Sequence, residues 1–118
     1  MHQDILSNNT QLALLYTTIP SLKEAEYLAT KALEAKHAVC VNIIPGMQAI
    51  YLLDDKVERA VECSIFFKTT IHCLPELERW ILENHPYKTP AIFKWEASSS
   101  EPYYEYAMSQ IQNRDKMV

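Results

Sequence analysis

Hydrophobic and polar positions follow two different periods along this chain, and the change from one to the other marks its elements. Leu12 to Thr18 (LALLYTT) is a nearly unbroken apolar run closed by Pro20, as expected of a central strand covered on both faces. Ser21-Leu22-Lys23-Glu24 has the S-x-x-E spacing of a helix-capping box. Beyond it Leu22, Ala25, Leu28, Ala29, Ala32 and Leu33 recur at helical spacing while charged residues fill the other face, which predicts an amphipathic helix over 21–36. Ala38 to Ile44 (AVCVNII) is rich in β-branched residues and reads as a second strand ending at Pro45-Gly46. Met47 to Leu53 reads either as its continuation past a kink or bulge, or as a third strand. Asp54-Asp55-Lys56 is a polar hairpin tip, and Val57 to Thr70 is the next strand, well beyond the usual five or six residues.

The second half repeats the plan. Pro75 suits a first helical turn, and Leu74, Leu77, Trp80 and Ile81 mark a helix ending near His85-Pro86. Ala91 to Glu96 is a last strand before Ser98-Ser99-Ser100. Glu101-Pro102 then opens a short helix with Tyr103, Tyr106, Ala107 and Ile111 on its inner face. The order is β-α-β-β-α-β plus a C-terminal helix: an α+β, ferredoxin-like plan with an antiparallel sheet and a long β-ribbon. Residues 1–10 are expected to be a flexible arm, 11–112 a single domain, and 113–118 a frayed end. Helices cover only one face of such a sheet, yet the strands are apolar on both. Oligomerisation follows as an expectation.

Composition narrows the function. Net charge is −4 with no Lys/Arg cluster, so nucleic acid and anionic membranes are not expected partners. No apolar stretch approaches the roughly 20 residues of a membrane span, and MHQDILSNNT lacks a secretory signature, so the expected location is the cytoplasm. A single glycine, Gly46, excludes the phosphate-cradling loops that need several. Three cysteines without a CxxC pair do not form a disulfide framework or zinc ribbon.

Four blocks carry a resemblance: Tyr16-Thr17-Thr18-Ile19-Pro20, Ala38 to Gly46, Lys68-Thr69-Thr70, and His85-Pro86-Tyr87-Lys88-Thr89-Pro90. In this order and spacing they resemble the signature blocks of the CutA divalent-cation-tolerance family, over roughly residues 11 to 107. The resemblance implies a ferredoxin-like subunit in a tight homotrimer, similar in architecture to PII signalling proteins. It also implies a cytosolic role in tolerance to copper and other divalent ions. Copper or another divalent cation is the implied cofactor, with none required for folding. The chain departs from the family pattern at Leu53 and Asp55, where an aromatic and a glycine are usual, and at Ala91, where an acid is common. Of the cysteine-plus-two-histidine copper set proposed for some bacterial members, Thr17 and Asn84 stand at two positions and only His85 remains, which weakens copper binding by that route.

The candidates follow. His85 is either a capping and packing residue or a metal ligand lining an intersubunit pocket. Cys40 and Cys63 could approach if their strands pair, and soft thiolates suit Cu(I); alternatively they fill small spaces in the core. Cys73, near a helix start, lacks a base in a recognisable motif, so no nucleophilic enzyme is expected. His2, His37 and His72 have no metal-site spacing. Tyr51, Lys68, Tyr87, Lys94 and Trp95 are expected to meet at an intersubunit cleft that takes a metal ion or small ligand. Lys68 follows Ile65-Phe66-Phe67 and so needs solvent or a carboxylate such as Glu62 or Glu96. A PII-like sensor acting through a partner protein is the alternative reading.

Overall fold

The structure, a computed structural model, describes residues 10–112. The arm expected over 1–10, apart from Thr10, and the end expected to fray over 113–118 lie outside the described residues. The elements are β1 (Gln11–Ile19), α1 (Leu22–Glu34), β2 (Cys40–Leu53), β3 (Lys56–Thr70), α2 (Leu74–Asn84), β4 (Ile92–Ser98) and α3 (Glu101–Gln112). The strands form one antiparallel sheet in the order β2-β3-β1-β4. This is the expected ferredoxin-like plan with its additional helix. The second strand is continuous, with a register shift between Ile44 and Met47 where Pro45 and Gly46 sit. Of the two readings of Met47–Leu53, continuation past a bulge is the observed one. Gly46 has φ 74°, and a Cβ built on it would meet nothing within 4 Å, so the backbone conformation and not space demands glycine here.

Ala13, Leu15, Thr17 and Ile19 of β1 turn toward α1 and α2, together with Cys63, Ile65 and Phe67 of β3. Ala25, Leu28, Ala32, Leu77 and Ile81 complete that core from the helices. The other face carries Leu14, Tyr16, Phe66, Phe93 and Trp95 and stays partly open, so β1 is fully covered on one face only. Ser21 caps α1 by accepting from the Glu24 N–H at 3.2 Å. The return contact of the expected capping box is different: Glu24 accepts from the Ser21 hydroxyl. α3 also departs from expectation. Ala107 is buried and Tyr103 is half-buried, but Tyr106 lies exposed beside the Tyr103 ring. The β2–β3 ribbon overhangs the domain, which measures 49 × 39 × 21 Å. Its radius of gyration is 16.0 Å, against about 13 Å for a compact chain of this size.

Candidate functional site

His85 and Thr17 come together at the end of β1, where the chain leaves α2. His85 is the C-cap of α2: its N–H bonds the Ile81 carbonyl at 2.8 Å, and its extended backbone (ψ 138°) turns the ring back onto β1. Nδ1 accepts from the Tyr87 N–H at 3.0 Å. A main-chain N–H can only donate, so the ring proton is on Nε2. Nε2 lies 2.8 Å from the Thr18 carbonyl oxygen, to which it donates, and 3.2 Å from Thr17 Oγ1. The imidazole is neutral and both nitrogens are engaged. Burial lowers the His85 pKa, outweighing the raising effects of the Thr18 hydrogen bond and of Glu24 and Glu62. The end of α2 therefore holds a neutral imidazole and not a cation set against the helix dipole.

Tyr87 extends the cluster. Its ring lies 5.1 Å from that of His85, and its hydroxyl donates to the Glu62 carboxylate at the foot of the ribbon. Burial, then the hydrogen bond and charge of Glu62, raise the phenol pKa well above its ordinary value. Glu24 and Tyr51 add smaller electrostatic contributions of the same sign. A shallow hollow of about 290 Å³ opens beside this cluster between Ile19, Glu24, Tyr27, Asn84 and Pro86. The polar group is thus Thr17, Thr18, His85, Tyr87, Glu62 and Glu24, drawn from four segments.

The other candidates separate. Cys40 and Cys63 do not approach. Cys40 pairs with Lys68 on the open face, whereas Cys63 pairs with Ile19 on the helix-covered face. Five register positions part them, about 17 Å at the rise of an extended strand. Cys73 is a buried thiol at the N-cap of α2. His37 packs against Trp80 and Glu76, far along the chain from His85, and His72 is exposed. The five residues expected at one cleft are also spread within the subunit. Tyr51 stands out on the ribbon, Trp95 lies on the open sheet face, and Lys94 reaches Glu78 of α2 at 2.6 Å from the opposite face. Lys68 takes neither expected carboxylate; its ammonium lies 5.6 Å from the centre of the Tyr103 ring.

Tight copper chelation does not fit these residues. Coordination at His85 would cost one of its two hydrogen bonds, and Thr17 offers a hydroxyl where the resemblance implies a thiolate. The Asn84 amide is turned back onto the Trp80 carbonyl. Among the described residues no group of three or more His, Cys, Asp or Glu side chains is placed to hold a metal ion. The Glu62–Tyr87 bond and the two main-chain partners of His85 were absent from the sequence reading. Main-chain partners leave no side-chain pattern, and Glu62 and Tyr87 lie 25 residues apart.

Comparison with known proteins gives a consistent picture. The sequence model described as CutA1 divalent ion tolerance protein matches residues 13–110. The divalent-cation tolerance protein CutA of Escherichia coli is 34% identical over 89 residues, covering 75% of this chain and 80% of that protein. The structure of CutA1 from Ehrlichia chaffeensis superposes with a TM-score of 0.84 at 28% identity, over 87% of this chain and 97% of that one. CutA from Synechococcus elongatus gives 0.83 at 35% identity, over 87% and 92%.

Proposed function

The chain belongs to the CutA1 divalent ion tolerance protein family, and we propose that it acts in divalent-cation tolerance as a homotrimer whose intersubunit clefts take a small ligand or a weakly held divalent ion. One observation carries this reading. The Thr17–His85–Tyr87–Glu62 cluster sits at the foot of a ribbon whose exposed apolar ladder, Ile50, Leu52, Val57 and Val61, is left uncovered by the described residues. A second copy laid on that ladder would turn the open hollow beside His85 into a cleft. Tyr51, Tyr87 and Trp95 would line such a junction from different subunits, with Lys68 and Lys94 set further back. The reading assigns no catalytic step. It places the protein in the cytoplasm, in keeping with three cysteines that form no disulfide; among the described residues no helix is long and apolar enough to cross a membrane.

Light scattering is expected to give three times the subunit mass of 13.7 kDa, and a stable monomer at micromolar concentration overturns the reading. Calorimetric titration with Cu(II) and Zn(II) is expected to show weak binding that His85→Ala changes modestly. Cys40→Ser and Cys63→Ser are expected to leave Cu(I) binding unchanged, because thiols on opposite faces cannot share an ion. Cu(II) binding tighter than about 1 µM that His85→Ala abolishes contradicts the weak-site assignment. The second reading, a PII-like sensor, is favoured by the protruding ribbon tip, where Leu52 is 75% exposed. A partner protein captured by the trimer and lost on removing residues 50–57 would support it.

A further inference from the structure

α3 lies over one end of the open sheet face, and a hollow of about 250 Å³ remains between them, well away from His85. Leu12, Leu14, Ala97, Ser99, Lys68 and Tyr103 are among its lining residues. Lys68 is an unusual component of that wall. It projects from a central strand with Leu14 directly beside it on β1 and Cys40 on β2. Among the described residues it makes no ion pair. Glu62 is engaged by Tyr87, and Glu96 lies on the other face of the sheet. The ammonium lies over the Tyr103 ring, 5.6 Å from its centre. Among the described residues the buried Tyr103 hydroxyl has only a weak acceptor beside it, the Cys40 thiol, and no oxygen or nitrogen partner.

These two groups have one chemical need in common. An ammonium has three donors and no acceptor, and a buried phenol held only by a weak acceptor lacks a full hydrogen bond. What is missing from the hollow is an acceptor, preferably an anionic one. The rim hydroxyls are turned elsewhere: Ser98 Oγ accepts from Gln11 and Ser99 Oγ donates to the Ser100 carbonyl, and neither, being neutral, is a match for a charged ammonium. The rest of the lining is hydrocarbon, so the anion must carry an apolar body. One cation in apolar surroundings balances one negative charge and not two. The volume lies below the roughly 300–1,000 Å³ of sites for drug-sized molecules, which limits the ligand to about ten non-hydrogen atoms.

We propose that this hollow binds a small monocarboxylate with an aryl or short alkyl body, its carboxylate between Lys68 Nζ and Tyr103 Oη and its hydrocarbon against Leu12, Leu14 and Ala97. The inference does not rest on the trimer or on the His85 cluster. The test is calorimetric and NMR titration of the intact protein with benzoate and hexanoate, with benzyl alcohol and acetate as the uncharged and bodiless controls. Benzoate is expected to saturate with a Kd between about 10 µM and 1 mM, and each control to bind at least about tenfold more weakly. Lys68→Met is expected to lose about tenfold in benzoate affinity. Tyr103→Phe is expected to lose several-fold, and Lys68→Arg to keep most of it. Absence of saturation by benzoate and hexanoate overturns the proposal, as does equal binding of benzyl alcohol or an unchanged affinity in folded Lys68→Met. If Lys68→Met does not fold, the benzyl alcohol comparison and Tyr103→Phe decide.

Discussion

His85 is held by its neutral form, and the consequence can be read in the pH dependence of stability. Protonating Nδ1 would set an N–H against the Tyr87 N–H and break the 3.0 Å bond. Burial puts the folded pKa below the ordinary 6.5. Between the two values the unfolded chain binds more protons, so stability rises with pH there. The contribution is complete above pH 6.5 and is lost as pH falls from that value through the folded pKa. Urea unfolding across this range is expected to show the slope in the native protein and a flatter profile in His85→Asn. That variant is also expected to lose about 1–3 kcal/mol of baseline stability. An unchanged slope would assign it to another group. The neighbouring positions allow a gain-of-function test: Thr17→Cys with Asn84→His puts a thiol in place of the hydroxyl that lies 3.2 Å from Nε2 and adds an imidazole at the adjacent position. This pair is expected to tighten Cu(II) binding by at least about tenfold, and equal affinity would show that the His85 hydrogen bonds exclude metal whatever its neighbours. The four motif blocks identified His85 and Thr17 from sequence. The Thr18 carbonyl and Tyr87 N–H that fix the ring were not legible, because every residue carries those groups.

The elements were far more legible, since each is set by a period and a stop signal. Leu28, Ala32, Leu77 and Ile81 are buried as the helical spacing requires. Three residues of the expected apolar faces are exposed: Leu22 and Leu33 at the two ends of α1, and Tyr106, which sits three positions after Tyr103 on a helix whose buried line runs through Ala107. The scarcity of glycine appears in the turns. Lys36 has φ 61° and completes a Schellman-type end to α1, with its N–H on Leu33 and that of His37 on Ala32. Asp54 and Asp55, at φ 51° and 66°, form the two-residue turn closed by Leu53 and Lys56. All three adopt a left-handed conformation that disfavours residues with a Cβ. Lys36→Gly and Asp55→Gly are each expected to stabilise the protein by about 0.5–1 kcal/mol in urea titration, with the larger gain at Lys36 because Asp tolerates this region better. Gly46→Ala is expected to cost about 1 kcal/mol for the same reason, although its Cβ would have open space. Stabilisation by Gly46→Ala would refute the conformational account.

At the scale of the whole molecule, the distribution of apolar surface separates what the single chain satisfies from what it does not. α1 and α2 seal one face of the sheet, while the other keeps Phe93 62% exposed beside the half-buried rings of Tyr16 and Phe66. The ribbon adds a second open surface. Leu52 and Val57 pair directly across its tip, and Ile50 and Val61 continue the same face. Apolar area buried in association contributes about 25 cal/mol per Å² before the cost of assembly, so charges placed there act strongly against it. Sequence periodicity predicted that a face would remain open, but the pairing partner of a surface outside its own chain leaves no periodic signal. Unfolding of a trimer must include dissociation, so the melting temperature is expected to rise with protein concentration. Leu52→Asp with Val57→Asp leaves the core of Leu15, Phe67 and Ile81 untouched. It is expected to lower the mass in light scattering from three subunits toward one and to remove the concentration dependence of melting. A double variant that keeps the threefold mass and the same melting profile would place the ribbon outside the interface and leave the open sheet face as the surface that joins the subunits.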